Sequence, residues 1–287
     1  DLSKAYIAIS HGENFWSTGI WSTSRLITEN YPNVKFYLVK EDILKKGGES
    51  FLKQFDGVIN PGAEDSYPNS DEFKKEDCPF NMDIENHYQN ILDLSYKYNI
   101  PYLGICAGAQ HFSMYHGGTL SPLVGYSSGQ HQISYIEGTL AYFMASTKEQ
   151  QKNAFNNCEF AKISFKSDTA HHYAAVATKL GNKIQLGAVS EGGVAMSYAH
   201  ENGIRYATQF HPEHFYYNKD NEHNANQKAW INNFVEIAIM HHNHRTNSKI
   251  HPTKYFEDIK LRLQECIINP TCLTENSLDL YKELFLI

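Results

Sequence analysis

The sequence lacks the features that mark nucleic-acid-binding and membrane-spanning proteins. Its 287 residues contain no long run of lysine and arginine, and the formal net charge is −7. This balance argues against a nucleic-acid or anionic-membrane partner. No apolar stretch approaches the roughly 20 residues that a transmembrane helix needs. The first ten residues show no signal-peptide pattern, so we expect either a cytoplasmic protein or one exported after removal of a leader.

Cysteine is also scarce, with five in the chain. An odd number leaves one thiol unpaired in an oxidising compartment. If Cys106 is that thiol, Cys266 with Cys272 and Cys78 with Cys158 are candidate disulfides. The sequence does not decide between these bridges and free thiols.

Cys106 lies in the one stretch that combines a strand, a tight turn and a helix. Gly104 and Gly108 flank it in the pattern G-x-C-x-G, the cysteine form of a nucleophile elbow. The following helix would point backbone N–H groups at the sulfur and favour the thiolate. A buried core thiol is the alternative, although chance supplies only about 0.02 such patterns in a chain with five cysteines.

The first half of the chain alternates strand and helix, and the second half is rich in strands. A third predicted strand, 56–60, ends in Pro61-Gly62, at the kind of sheet edge where open α/β sheets bind ligands. A polar loop, 63–82, follows, and its length predicts a functional lid. Five later segments have strand patterns: 131–136, 160–165, 183–190, 194–200 and 205–210.

A base for the cysteine is predicted at the end of the last of these strands. His211 and Glu213 are two residues apart, so in an extended backbone their side chains leave from the same face. Pro212 between them restricts the backbone. A carboxylate on the far ring nitrogen would hold the imidazole in one tautomer. A surface histidine beside a turn is the alternative, since the chain has fifteen histidines.

Four blocks of the sequence together resemble the class I glutamine amidotransferase-like superfamily. The similarity is greatest to its γ-glutamyl hydrolase and γ-glutamyl-γ-aminobutyrate hydrolase branch, peptidase family C26. The blocks are DGVINPG, NIPYLGICAGAQ, SDTAHH and QFHPE. The resemblance extends over roughly residues 5–241.

The resemblance implies a role for each matching residue. Cys106 would be the nucleophile, His211 the base and Glu213 the residue that orients it. The backbone N–H groups of Gly62 and Ala107 would form the oxyanion hole.

Two further residues match positions near the substrate in this family. Gln110 would help to hold the γ-glutamyl portion, and His171 would lie near the pocket. Tyr173 stands where the family usually has glutamine, which weakens the prediction of substrate identity. His171 and His172 could equally be a loop pair without a role.

Histidines near the end of a later helix raise the question of a metal. His241, His242, His244 and His251 have no cysteine or carboxylate at the spacing of a zinc site. We therefore predict no metal site and no organic cofactor.

The predicted fold is α/β, a flavodoxin-like three-layer sandwich with a mainly parallel central sheet and a C-terminal helical extension. Residues 1–245 would form the class I glutamine amidotransferase-like hydrolase domain, and 246–287 the extension. Helices are predicted around residues 256–267 and 278–285.

The sequence favours a hydrolase that cleaves a γ-glutamyl or glutamine-type amide through a thioester. Its substrate would be a small molecule or a peptide, and the C-terminal helices could contact a protein partner. One alternative is a glutaminase subunit that delivers ammonia to a separate synthetase. Another is a catalytically inactive binding module of the same fold.

Overall fold

In the part of the chain that the structure describes, a mixed sheet of nine strands forms the centre of the fold. The structure is a computed structural model that describes residues 4–11, 18–40, 46–47, 50–51, 53–63, 65–66, 68, 81–217, 221–247 and 249–268. The strands are β1 Ala5–His11, β2 Val34–Lys40, β3 Gly57–Asn60, β4 Tyr102–Ile105, β5 Leu120–Tyr135, β6 Ser164–Ala175, β7 Ile184–Ser190, β8 Ala195–His200 and β9 Arg205–Thr208.

The order across the sheet is β2-β1-β3-β4-β9-β8-β7-β5-β6. The first five strands in this order are parallel. The remaining four extend the sheet in antiparallel pairings. The strands β3, β4 and β9 are buried at every residue, which fits parallel strands covered on both faces.

Helices cover both faces of the sheet and complete three layers. Their bounds are α1 Thr18–Asn30, α2 Met82–Lys97, α3 Ala107–Tyr115, α4 Leu140–Ala145, α5 Lys148–Asn157, α6 Asn221–Asn247 and α7 Pro252–Ile268. One core cluster joins the sheet to α1, α4, α5, α6 and α7 through residues such as Ile9, Trp230 and Phe234. A second cluster joins the other face to α2 and α3, with Leu92 and Phe112 at its centre. The predicted α/β sandwich with a helical extension is confirmed.

Three neighbouring strands end at the same edge of the sheet and position the site. Pro61-Gly62 follows β3, Cys106 follows β4, and the segment 209–213 follows β9. The N–H of Cys106 donates to the carbonyl of Thr208 at 2.7 Å, which holds the ends of β4 and β9 together. Residues far apart in the sequence therefore meet where parallel strands end.

The second half of the chain differs in detail from the prediction. Strand β5 is 16 residues long, and β6 occupies 164–175 rather than 160–165. The SDTAHH block therefore lies in a strand and not in a loop. Helices α4 and α5 were not predicted. The turns at 191–193 and 201–203 connect antiparallel strands.

The predicted disulfide pairings are wrong. Cys158 at the end of α5 is bonded to Cys266 in α7, across a sequence separation of 108 residues. The pairing was not predictable, because the sequence does not show that α7 packs against α5. Cys78 and Cys272 lie outside the described residues.

Helix α7 is part of the main core. Phe256, Ile259 and Leu263 are buried in the same cluster as Trp230. The predicted domain boundary at 245/246 falls inside α6, which continues to Asn247, and the division stays a prediction. The predicted helix at 278–285 lies outside the described residues, as does most of the predicted lid at 63–82. Within the described chain, no helix has the length and apolarity to cross a membrane.

Candidate active site

Cys106 is held in a strained backbone conformation between β4 and α3. Its φ and ψ are 53° and −108°, in a region that residues with a side chain rarely adopt. The thiol is buried, with 2% of the residue exposed. This turn has the geometry of the nucleophile elbow predicted from the glycine spacing.

The two flanking glycines allow the turn to close. A Cβ on Gly104 would lie 2.5 Å from the carbonyl oxygen of Gly108, and a Cβ on Gly108 would overlap the backbone of Asn60. These positions therefore exclude any larger residue, because backbone atoms cannot move aside without disturbing β3 and β4.

His211, whose side chain is 13% exposed, pairs with the buried Glu213 beside this cysteine. Nδ1–H of His211 donates to Oε1 of Glu213 at 2.8 Å, and the Glu213 side chain is 1% exposed. The two residues were predicted to lie in an extended segment, which is wrong. Pro212–Tyr217 is a 3₁₀ helix, and its tight turn brings the carboxylate back to the imidazole.

The charges of this pair depend on each other. Burial works to lower the pKa of His211, but the negative charges of Glu213 and Cys106 outweigh it and raise that pKa well above its usual value. Burial likewise opposes ionisation of Glu213, yet the neighbouring imidazolium lowers the pKa of the carboxyl below its usual range. His211 lies close enough to Cys106 for the two side chains to interact electrostatically. The three side chains can therefore exchange and stabilise charge.

Gly62 lies directly against these groups. A Cβ at this position would be 2.7 Å from Cε1 of His211 and 3.4 Å from Cβ of Cys106. Within the described part of the chain, the N–H groups of Gly62 and Ala107 have no acceptor. Both groups are thus available as donors beside Cys106.

Strand β6 and helix α6 support the backbone of His211. The N–H of His211 donates to the carbonyl of Asp168 at 3.1 Å. Gln227 of α6 donates from Nε2 to the carbonyl of His211 at 3.0 Å and to Oγ of Ser167 at 2.9 Å. These contacts fix the backbone of His211 between two elements.

Gln110 braces the segment that follows Gly62. Its Nε2 donates to Oδ1 of Asp65 and to the carbonyl of Tyr173, both at 2.7 Å, and its Oε1 accepts from the N–H of Ser66 at 2.8 Å. Asp65 also accepts from Nδ1 of His172 at 2.7 Å. The buried amide of Gln110 is thus hydrogen-bonded to other residues of the protein. The contact of Gln110 with substrate stays a prediction.

His171 presents a free acceptor inside the protein. Its Nδ1–H donates to the carbonyl of Tyr173 at 2.7 Å, which leaves Nε2 unprotonated. This buried Nε2 has no hydrogen-bond partner among the described residues. Burial lowers the pKa of His171 and keeps the ring neutral, and the ring is near enough to His211 for their charges to interact.

A metal ion does not fit the ligand atoms near the site. His211, Glu213 and His214 are the described group whose donor atoms lie close enough together, within 4.8 Å. The two imidazole rings are stacked, with centroids 4.5 Å apart and planes at 12°. In-plane lone pairs of parallel rings do not converge on one ion at about 2.0–2.1 Å.

The histidines of the later helix are organised by a carboxylate. Nδ1 of His241 and of His242 lie 3.3 and 3.0 Å from the oxygens of Asp56, and Arg245 donates to the same carboxylate. Asp56 precedes β3, at the end of the sheet opposite to the site. An ion-pair network thus occupies the position considered for a metal.

Sequence reasoning missed Asp65 and Gln209 as parts of this site. Asp65 is buried and connects the loop after Gly62 to β6. Gln209 directs its side chain at the sulfur of Cys106. Signals for both were present, since Asp65 follows a predicted strand end and Gln209 begins the QFHPE block.

The chain is similar in sequence to a known protein family. The Peptidase C26 family profile matches residues 40–213. A candidate glutamine amidotransferase of Schizosaccharomyces pombe is 26% identical over 190 residues, which cover 60% of this chain and 72% of that protein. The glutamine-hydrolyzing GMP synthase of Francisella tularensis subsp. novicida is 27% identical over half of this chain, but the match spans only 23% of the synthase.

Solved structures show the same fold at low sequence identity. A candidate GMP synthase subunit from Thermoplasma acidophilum has a TM-score of 0.59 and 21% identity, over 86% of this chain and 98% of that one. The glutaminase domain of a Trypanosoma brucei CTPS, with bound acivicin, has a TM-score of 0.54 and 12% identity, over 82% and 94% of the two chains.

The family match covers more than half of the chain and includes the elbow and the segment with His211 and Glu213. This chain belongs to the Peptidase C26 family, within the class I glutamine amidotransferase-like superfamily, and is a glutamine amidotransferase-type hydrolase.

Proposed function

We propose that the protein hydrolyses a γ-glutamyl or glutamine-type amide through a thioester on Cys106. The observation that carries this proposal is the placement of Cys106 beside the hydrogen-bonded pair of His211 and Glu213, where β3, β4 and β9 end. A nucleophile, a base and a group that orients the base are the components of covalent acyl transfer.

The first half of the reaction forms the thioester. The Cys106 thiolate attacks the carbonyl carbon, and the resulting oxyanion accepts hydrogen bonds from the N–H groups of Gly62 and Ala107. Protonated His211 gives its Nε2 proton to the leaving amine as the C–N bond breaks. Glu213 holds the imidazole in the tautomer that makes this transfer possible.

The second half releases the acid. Neutral His211 removes a proton from water, and the hydroxide attacks the thioester carbonyl. The C–S bond then breaks, and the thiolate and imidazolium return to their starting state. Because protein groups and the attacking water supply every proton and electron pair, no cofactor is needed in this scheme.

Recognition of the acyl group is proposed to involve His171. Its unpartnered Nε2 can accept a hydrogen bond from a substrate ammonium or amide. Gln110 would contribute by holding Asp65, Ser66 and Tyr173 in place.

Intact-protein mass spectrometry tests the proposal. A panel of γ-glutamyl amides, peptides and free glutamine should give a transient adduct with the mass of the acyl group on Cys106, and acivicin should give a stable one. Cys106→Ala should abolish both the adduct and turnover without changing the fold. Turnover that survives in this variant would contradict the thioester mechanism.

A glutaminase role is the second candidate, because the matched part of the GMP synthase is only 23% of that enzyme. A glutaminase of this kind would release little ammonia from glutamine alone and more when a synthetase is added. Rapid unaided hydrolysis of γ-glutamyl amides would instead support the hydrolase. The inactive binding module of this fold would form no adduct with any member of the panel.

A further inference from the structure

Besides His211, two polar groups of opposite character lie near the sulfur of Cys106 in the described part of the chain. The carbonyl oxygen of Ala170 lies 3.8 Å from Sγ and can only accept a hydrogen bond. Nε2 of Gln209 lies 3.7 Å from Sγ and donates. The carbonyl therefore suits a thiol, whereas the amide N–H suits a thiolate.

Gln209 is held rigidly in this position. Its backbone N–H donates to the carbonyl of Met196 at 2.9 Å, which fixes it at the end of β9. The side chain is fully buried. Direct contact with the sulfur thus comes from a residue whose backbone is hydrogen-bonded to β8.

The other end of this amide is unsatisfied. Oε1 of Gln209 has no hydrogen-bond partner among the described residues, although it is buried. A buried acceptor without a partner is unfavourable. A methionine would fill a similar volume without this cost, so the structure of the core alone does not account for glutamine here.

A neutral amide can serve both protonation states of the sulfur. Rotation by 180° about the last side-chain bond exchanges Nε2–H, which donates to a thiolate, for Oε1, which accepts from a thiol S–H. A lysine or glutamate would instead add a charge beside the His211–Glu213 pair.

We propose that Gln209 is a further catalytic residue, which stabilises the Cys106 thiolate by donating a side-chain N–H to the sulfur. This inference rests on the proposed function, in which that thiolate is the nucleophile. The effect is on the resting enzyme and is therefore measurable without any substrate.

The test is the pH dependence of Cys106 alkylation by iodoacetamide, followed at the Cys106 peptide by mass spectrometry. Gln209→Met removes the donor, and Gln209→Glu replaces it with an acceptor of the same shape. We expect alkylation at pH 7 to slow about 10- to 100-fold in Gln209→Met, the change expected for losing a hydrogen bond to a charged group. The pH midpoint should rise in both variants, and more in Gln209→Glu.

Gln151→Met is the matched control. Gln151 is also a buried glutamine, with Nε2 donating to the carbonyl of Phe143 at 2.9 Å, but it belongs to α5. This variant should keep the alkylation profile of the unmodified protein. A thermal melt of each variant separates loss of folding from loss of reactivity.

The outcomes separate this inference from the proposed function. If Cys106 of the unmodified protein reacts no faster than an unactivated thiol, the proposed function fails. If Cys106 of the unmodified protein is reactive but Gln209→Met has the same alkylation profile, Gln209 does not stabilise the thiolate. The proposed function then stands. If Gln209→Met does not fold, the isosteric variant Gln209→Glu is used in its place. An alkylation profile of Gln209→Glu equal to that of the unmodified protein overturns the inference.

Discussion

Gly62 occupies a place where a single methyl group would reach the proposed base. The imidazole of His211 is held by Glu213 on one side and lies against Cys106 on the other, so it has little freedom to move away. The geometry of the site therefore requires a residue without a Cβ at position 62.

Gly62→Ala should therefore reduce turnover strongly and stability only slightly. The added Cβ would lie 2.7 Å from Cε1 of His211. A displacement of about 1 Å in an active site can cost about 100-fold in rate, and we expect a loss of at least that size in kcat/KM. Gly192→Ala is the control, because its Cβ would have Ser190 Oγ at 3.7 Å as its nearest neighbour. Equal effects of the two variants would contradict this account.

The raised pKa of His211 gives a second prediction, for Glu213→Gln. Burial lowers the pKa of His211, and the charge of Glu213 is the largest of the effects that raise it. Removing that charge should lower the pKa, so an NMR titration of the imidazole should have its midpoint at lower pH. Turnover should fall by about 10²- to 10⁴-fold, because the tautomer is also lost.

Glu191→Gln serves as the control for this titration. Glu191 pairs with His131 at 3.3 Å on the surface, so its neutralisation should leave the His211 midpoint unchanged. A midpoint in Glu213→Gln at or above that of the unmodified protein would show that the carboxylate does not stabilise the imidazolium.

Among the elements, helix α7 shows how a distant segment is fastened to the domain. The disulfide Cys158–Cys266 joins it to the end of α5. The bond closes a loop of more than a hundred residues, so it restricts the unfolded chain strongly.

Loss of this bond should lower the free energy of unfolding. For a loop of this length, chain entropy predicts a change of about 5 kcal/mol, and measured values are often smaller. The Cys158→Ser, Cys266→Ser double variant should lose about 2–4 kcal/mol in a denaturant titration and retain activity. Peptide mapping without reductant should recover the linked pair. Finding both thiols free in the oxidised protein would refute the assignment.

Elements set by local pattern were predicted well from the sequence, and those set by distant contacts were not. The elbow was predictable because Gly104 and Gly108 relieve clashes within one turn. The disulfide was not, because Cys158 and Cys266 meet only after α7 has packed on α5. The hydrogen bond from Gln227 to the carbonyl of His211 was also not predictable, because no short sequence pattern shows that α6 packs beside His211.

At the scale of the whole molecule, the described part of α7 is joined to the hydrolase core by more than a covalent link. Phe256 packs edge-on against Tyr206 of β9 and against Phe143 of α4. Strand β9 leads directly into the segment with His211. We therefore expect the site and α7 to unfold together.

Leu263→Ala tests this cooperativity. Leu263 is fully buried in the main core cluster, so its truncation should cost about 2–5 kcal/mol of unfolding free energy. Leu261→Ala is the matched control on the same helix, since Leu261 is 58% exposed and its loss should change stability by less than about 0.5 kcal/mol.

Alkylation of Cys106 during denaturation shows whether α7 and the site unfold together. If α7 and the site form one cooperative unit, Leu263→Ala should expose the thiol at a lower denaturant concentration, in step with the loss of helix signal. The Leu261→Ala profile should superpose on that of the unmodified protein. A helix signal lost well before Cys106 becomes reactive would show instead that α7 separates from an intact hydrolase domain, in agreement with the boundary at 245/246.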